Sequence, residues 1–304
     1  MSEPVIKVSG LRRSYGGFEA LGGIDLEVRA GEVFAFLGPN GAGKTTTVEV
    51  LEGYRDRDAG EVSVLGADPA GAKRAWRERV GIVLQECRME PTLTVRETLT
   101  LYAGYYPRPR DVAETIELVG LGVKADERAG NLSGGQQRRL DVALALIGDA
   151  ELLFLDEPTT GFDPSARRQA WEVIDSLREL GKTVFLTTHY MDEAQFLADR
   201  VAVIVAGAIV AEGTPDEIGG RAEAASRIRF ALPPGMSPDS LPAQVGTIRP
   251  QDEGFVEIIT SEPVRALHSL TEWALAAGVE LTGLEVRRPS LEDVYLRLTD
   301  GERA

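Results

Sequence analysis

The chain carries a single cysteine, Cys87, in 304 residues. A lone thiol excludes an internal disulfide framework and any zinc site built from several thiolates, and it fits a reducing compartment. A cytoplasmic location is therefore expected. Long apolar runs are also missing. The longest, Val201 to Ala211, falls well short of the roughly 20 residues that span a bilayer and reads as two strands around Gly207. No apolar core follows a basic start at the amino terminus, so no secretory signal is expected there. Basic residues are outnumbered, 33 Lys and Arg against 48 Asp and Glu, for a formal net charge of -15. That balance disfavours long-range attraction to phosphate backbones, and nucleic acid is not an expected partner. What the sequence does supply is apolar bulk, 43% of residues. The length suits a main body with a smaller appended unit.

Strand-like alternation over "VIKVSGLRRSYGG" and "IDLEVRAGE", with glycine-rich turns, predicts an antiparallel sheet at the start. "EVFAFLG" is a compact apolar strand running into a glycine loop, and "KTTTVEVLEGY" has helical spacing. Thr92 to Leu118 reads as helical apart from a break at "PRPR", Pro107 to Arg110, and belongs to a helical lobe of about 92–145. The strands "ELLFLDE" and "TVFLTTH", divided by a helix from about Ser165 to Leu180, give the alternation of an α/β fold with a parallel sheet. Near residue 220 the texture changes: "IGGRAEAAS" reads as a junction and "LPPGMSPDSLP" as a loop. Beyond them "GFVEIIT" and "VELTGLEV" read as strands, and Pro263 to Ala277 and Ser290 to Leu298 as helices. The expected domains are 1–220 and a small α+β unit, 221–304.

"GPNGAGKTT" comprises Gly38, Pro39, Asn40, Gly41, Ala42, Gly43, Lys44, Thr45 and Thr46. It matches G-x-x-x-x-G-K-[ST] between a strand and a helix. Glycines let successive amides turn inward as a nest, and the positive end of the following helix points at the same spot, so the loop suits a phosphate. Lys44 would reach the β- and γ-phosphates, and the Thr45 hydroxyl would ligate Mg²⁺. Asp156, ending an apolar strand, would hold Mg²⁺ through water. Glu157 would orient or deprotonate the attacking water. Two other features read as structural: "KRAWRERV", Lys73 to Val80, as a solvated helix face, and Cys87 as a packed thiol.

In "NLSGGQQRRLDVALAL", Ser133, Gly134 and Gly135 open an amphipathic helix with a second anion-binding turn. Standing shortly before "LLFLDEP", this stretch closely resembles the signature of ATP-binding cassette (ABC) ATPases. The resemblance covers roughly the first 220 residues. It implies a P-loop fold with a mixed sheet of parallel core, an antiparallel β subdomain and a helical subdomain. It also implies ATP sandwiched between two subunits, with Ser133, Gly134, Gly135 and Gln136 acting on the partner's nucleotide. Tyr15 resembles the aromatic that stacks on adenine. Gln85 resembles the glutamine that touches Mg²⁺ and the attacking water. His189 resembles the switch histidine, and Asp163 the loop aspartate that couples the two sites. Phe162 departs from the family's usual leucine. The tail "RRPSLEDVYLRLT" resembles that of exporter ATPases of the daunorubicin-resistance type. The implied partners are a second copy or a related ATPase and a separate integral-membrane permease, which would hold the chain at the cytoplasmic face. The cargo implied is a drug, antibiotic or other amphipathic compound. The alternatives are a soluble ABC-type ATPase acting on ribosomes or nucleic acid, and a non-transport regulatory cassette. One phosphate loop, one cysteine and no heptad run between Lys44 and Asp156 weigh against the soluble class, and Glu157 weighs against the regulatory one.

Overall fold

The computed structural model describes residues 3–84, 90–218, 225–233, 235–251, 254–287 and 290–300. Contacts divide the chain into two compact units, Met1–Pro215 and Asp216–Ala304. The first unit runs β1 (Ile6–Tyr15), β2 (Phe18–Val28), β3 (Val33–Leu37), α1 (Lys44–Leu51), β4 (Ala59–Val64), α2 (Arg74–Arg77), β5 (Val80–Val83) and α3 (Val95–Ala103). It continues with α4 (Val112–Leu118), α5 (Gly134–Leu146), β6 (Leu152–Asp156), α6 (Pro164–Glu179), β7 (Thr183–Thr188), α7 (Met191–Leu197), β8 (Arg200–Val205) and β9 (Ala208–Gly213).

Burial sorts these strands. Every residue of β3 and β7 is buried, as in strands covered on both faces. They lie inside a six-stranded sheet of order β5-β6-β7-β3-β8-β9, parallel except for β9 at its edge. β1 alternates buried and exposed positions over its first residues and pairs antiparallel with β2 and β4 in a separate sheet. A bond from the Gly22 amide to the Gly207 carbonyl, 2.9 Å, joins the two sheets. Their shared core centres on Phe185, whose ring lies 5.7 Å, centroid to centroid, from each of Phe34, Phe36 and Phe154.

The helical lobe comprises α3, α4 and α5, and α3 and α4 are separated across the Pro107 to Arg110 break. α3 opens on a capping box of Thr94 and Glu97, and α4 on the Asp111 cap. Two local expectations are corrected. α5 is not amphipathic in the usual sense: Arg138, Leu140, Asp141, Val142, Ala143, Ala145 and Leu146 are all buried, because the helix packs against β5 and α6 as well as against α3 and α4. Nor is Lys73 to Val80 a wholly solvated face. α2 is short, and Trp76 is buried with its indole N–H donating to the Val64 carbonyl at 2.7 Å.

The second unit contains β10 (Ser226–Ala231), β11 (Thr247–Pro250), β12 (Phe255–Thr260), α8 (Pro263–Ala277), β13 (Glu285–Arg287) and α9 (Leu291–Asp300). Its antiparallel sheet has the order β11-β12-β10-β13. Ile228, Phe230, Val256 and Ile258 pack on Ala266 and Leu270 of α8. The strand expected over Val279 to Val286 shrinks to β13, because Gly278 ends α8 in the left-handed conformation (φ 65°) and Gly283 turns the chain again (φ 67°). Among the described residues no helix is long and apolar enough to cross a membrane.

Phe185→Ala removes the ring shared by three aromatic neighbours and is expected to destabilise the first unit by about 3–5 kcal/mol. Urea unfolding of the variant beside the parent chain checks this.

Candidate active site

The carboxyl ends of β3, β6 and β7 lie side by side. Leu37 pairs with Thr188, and Thr187 pairs with both Phe36 and Asp156. Such an edge is where open parallel sheets bind ligands, and the loops leaving it carry the residues singled out from the sequence.

After β3, the chain makes the glycine loop and enters α1 at Lys44. Gly43 stands at φ 109°, and a Cβ there would come within 2.8 Å of the Ala20 carbonyl. At Gly38 a Cβ would meet the Ile204 carbonyl at 2.5 Å. Both positions therefore admit only glycine. Asn40, Gly41 and Thr45 are exposed, Pro39 and Thr46 half-buried, and Ala42 buried. The Lys44 side chain is 6% exposed, and its ammonium donates to the carbonyls of Gly38, 2.6 Å, and Pro39, 3.3 Å. Burial lowers its pKa, opposed by the Glu157 and Asp156 carboxylates.

Glu157 gathers the rest. Its Oε1 lies 3.8 Å from Lys44 Nζ and 3.3 Å from His189 Nδ1, the latter without hydrogen-bond alignment. Its Oε2 accepts from Thr160 Oγ1 at 3.0 Å. The residue has φ 45°, a left-handed value that is strained for a side-chain-bearing residue. Its amide donates to Thr187 Oγ1, 3.0 Å, and to the Thr187 carbonyl, 3.2 Å. The same Thr187 hydroxyl donates to Asp156 Oδ1. One threonine thus orders both acids.

The remaining predicted residues stand apart from this cluster. Ser133 and Gln136 form a capping box on α5, and Ser133 and Gly134 are exposed. A Cβ on Gly135 would sit 3.4 Å from Ala166 Cβ in the first turn of α6. Asp163 caps α6, accepting from the amides of Ser165 and Ala166 at 2.8 and 2.9 Å. Tyr15 ends β1 opposite Phe18, and the guanidinium carbons of Arg13 and Arg55 lie 5.0 and 5.2 Å from its ring centroid. Gln85 and Cys87 lie outside the described residues.

Residues 21–160 match the ABC transporter family, and residues 226–290 match the C-terminal domain of ABC transporter domain-containing-like proteins. The daunorubicin resistance ATP-binding protein DrrA3 of Streptomyces coeruleorubidus is 37% identical, the match covering 100% of this chain and 98% of that protein. Nod factor export ATP-binding protein I of Rhizobium sp. (strain N33) is 41% identical over 99% of both chains. The chain belongs to the ABC transporter ATP-binding proteins. Its fold agrees: CbiO1 of Clostridium perfringens, part of the ABC transporter complex CbiONQ, superposes with a TM-score of 0.64 at 29% identity, covering 71% of this chain and 90% of CbiO1. This ABC ATPase binds ATP and hydrolyses it.

The donor set of the ABC ATPase suits a hard cation that keeps most of its own water. Among the described residues no group of three or more His, Cys, Asp or Glu is placed to hold a metal ion. What the site offers is hydroxyl and carboxylate oxygen, at the exposed Thr45 and at Asp156, which fits Mg²⁺ completing its shell with water and phosphate oxygens.

Arg138 and Glu193, buried charged residues beside the site of this ABC ATPase, are not predicted from the sequence. Arg138 reaches from α5 to the carbonyls of Pro158 at 3.1 Å, Asp156 at 2.8 Å and Leu84. Its helical partners Val142 and Ala145 are buried on the same side, and that apolar spacing is the signal that a charge there turns inward. Glu193 in α7 is fully buried; its Oε1 accepts from Thr159 Oγ1 at 2.7 Å and Trp171 Nε1 at 3.1 Å. Burial raises its pKa against the bonds from Thr188, Thr159 and Trp171. Glu193 therefore fastens the loop after Glu157 to the helix after His189. Glu193→Leu orphans two buried donors at about 1–3 kcal/mol each. It should lower kcat about tenfold or more with ATP affinity little changed, whereas the isosteric Glu193→Gln should retain most activity. Steady-state ATPase assays and nucleotide titrations separate the two variants.

Proposed function

We propose that this chain is the motor subunit of an exporter, closing as a dimer around two ATP molecules to drive a separate membrane permease. The supporting observation is that the likeness to two proteins named for resistance and export runs through the whole chain, C-terminal unit included. The cargo in this reading is a drug, an antibiotic or another hydrophobic or amphipathic compound, and the chain works at the cytoplasmic face of the membrane through its permease. Residues 1–220 serve as the motor and 221–304 as an accessory domain.

In this reading the amides of Gly38 to Thr46 cradle the β- and γ-phosphates, and Tyr15 stacks on the adenine. Lys44 exchanges its loop carbonyls for phosphate oxygens. Thr45, Asp156 and Gln85 would hold Mg²⁺, which when bound offsets phosphate charge. Glu157 takes the proton of the attacking water. Its carboxylate is steered by Thr160, and His189 Nδ1 lies 3.3 Å away. The water oxygen bonds to the γ-phosphorus as the link to ADP breaks. Ser133, Gly134, Gly135 and Gln136 of a second subunit close over the γ-phosphate, a role that the exposure of Ser133 and Gly134 at the start of α5 supports. Asp163 couples the two sites.

Glu157→Gln removes the base and keeps the shape. It is expected to bind ATP as the parent does, to lose about 10²-fold or more of turnover, and to accumulate as an ATP-bound dimer in sedimentation. Ser133→Arg should stop hydrolysis with nucleotide affinity nearly intact. Parental turnover in Glu157→Gln refutes the base assignment, and full-rate hydrolysis by a monomer refutes the sandwich.

A further inference from the structure

Of the groups gathered around Glu157, His189 is the least anchored. Lys44, Asp156 and Glu157 each have a hydrogen bond of their own. His189 Nδ1 is buried and lies 3.3 Å from Glu157 Oε1, yet it makes no hydrogen bond. Among the described residues neither nitrogen of the imidazole has a hydrogen-bond partner. A functional histidine is ordinarily oriented by the bond that its second nitrogen makes. Here something else must hold the ring.

The next residue does so. The rings of His189 and Tyr190 lie 4.1 Å apart, centroid to centroid, and are inclined at 39°. Tyr190 is in turn fixed from two directions. Its amide, at the amino-terminal boundary of α7, donates to Thr188 Oγ1 at 2.9 Å. The guanidinium carbon of Arg167 on α6 lies 4.1 Å from its ring centroid, within the range of a cation–π contact. Arg167 is itself paired with Asp192 of α7 at 3.2 Å, and its amide donates to the Asp163 carbonyl at 3.0 Å in the first turn of α6. Among the described residues the Tyr190 hydroxyl has no hydrogen-bond partner. What Tyr190 contributes is therefore its ring.

We infer that Tyr190 is a positioning residue for hydrolysis: its ring, backed by Arg167, sets the orientation in which His189 faces Glu157 and the γ-phosphate. The inference rests on the roles proposed above for Glu157 and His189, and it adds the group that orients the second of them. An aromatic wall suits this task better than a hydrogen bond does. Neutral imidazole has one donor nitrogen and one acceptor nitrogen, and a carbonyl or carboxylate used as an anchor would occupy one of them. Tyr190 restrains the ring and leaves both nitrogens open, one for Glu157 and the other for a phosphate oxygen. The brace is built on α6, the helix that Asp163 caps, so the imidazole is referred to the same turn that carries the loop aspartate.

The full chain tests this, and its having only two histidines makes the test direct. The His268 side chain is 78% exposed, so its imidazole signal is an internal reference for that of His189 in a histidine-labelled NMR spectrum. Tyr190→Leu removes the ring current and should move the His189 signal while His268 stays in place. It should lower kcat about 10- to 100-fold, the scale of a group misplaced by about 1 Å, with ATP affinity little changed. Tyr190→Phe keeps the ring and should keep most of the turnover and the parental His189 signal, and Arg167→Gln should fall between the two. Because Tyr190 acts through His189, Tyr190→Leu should cost nothing further in a His189→Ala chain. An unmoved His189 signal, parental turnover in Tyr190→Leu, a loss in Tyr190→Phe as large as in Tyr190→Leu, or a full further loss on the His189→Ala background overturns the role of Tyr190 alone. Parental turnover in His189→Ala overturns the reading of His189, and the role of Tyr190 with it.

Discussion

Thr187 stands opposite Phe36 on one side and Asp156 on the other, and this registration of three parallel strands is the constraint on which the site depends. A slip of one residue would turn the Thr187 hydroxyl to the opposite face of the sheet. It would release Asp156 and the amide of Glu157 together. The register is held by the apolar residues further along the same face, where Phe185 packs against one ring from β6 and two from β3. Site geometry and core packing share one face of the sheet.

Much of this was legible in order along the chain. The glycine loop, the acids ending β6 and the histidine after β7 each follow an apolar strand, and parallel strands buried on both faces read as such runs. The Pro107 to Arg110 break and the turn at Gly207 were equally plain. Other features were hidden for physical reasons. β11 is four residues ending in proline, with one half-buried isoleucine to mark its inner face. β10 does alternate, Ile228 and Phe230 in and Arg227 and Arg229 out, but it sits in a stretch whose glycines and prolines dominate the reading. α5 reads as amphipathic because Arg138 and Asp141 look like surface residues; they are buried as a pair, which composition cannot distinguish. Proximity across loops was not legible at all: nothing in the sequence sets Lys44 3.8 Å from Glu157.

Two of the buried acids in the first unit, Glu193 and Glu52, differ in their surroundings. Glu193 is met by Thr159 and Trp171 within hydrogen-bond reach, so its burial locks neighbouring elements together. Glu52 has no such neighbours among the described residues and opens onto an aromatic cavity.

Arg138 also bears on motion. Three carbonyls accept from its guanidinium, at Leu84 beyond β5 and at Asp156 and Pro158 around the end of β6. Each such charge-assisted bond contributes about 1.5–3 kcal/mol. The start of α5 is therefore riveted to the loop that carries Glu157. A torque applied to the outer part of the lobe cannot be absorbed as slack at that joint. It is passed to the strand ends, which makes this arginine the fulcrum of a lever whose short arm is the loop that carries Glu157.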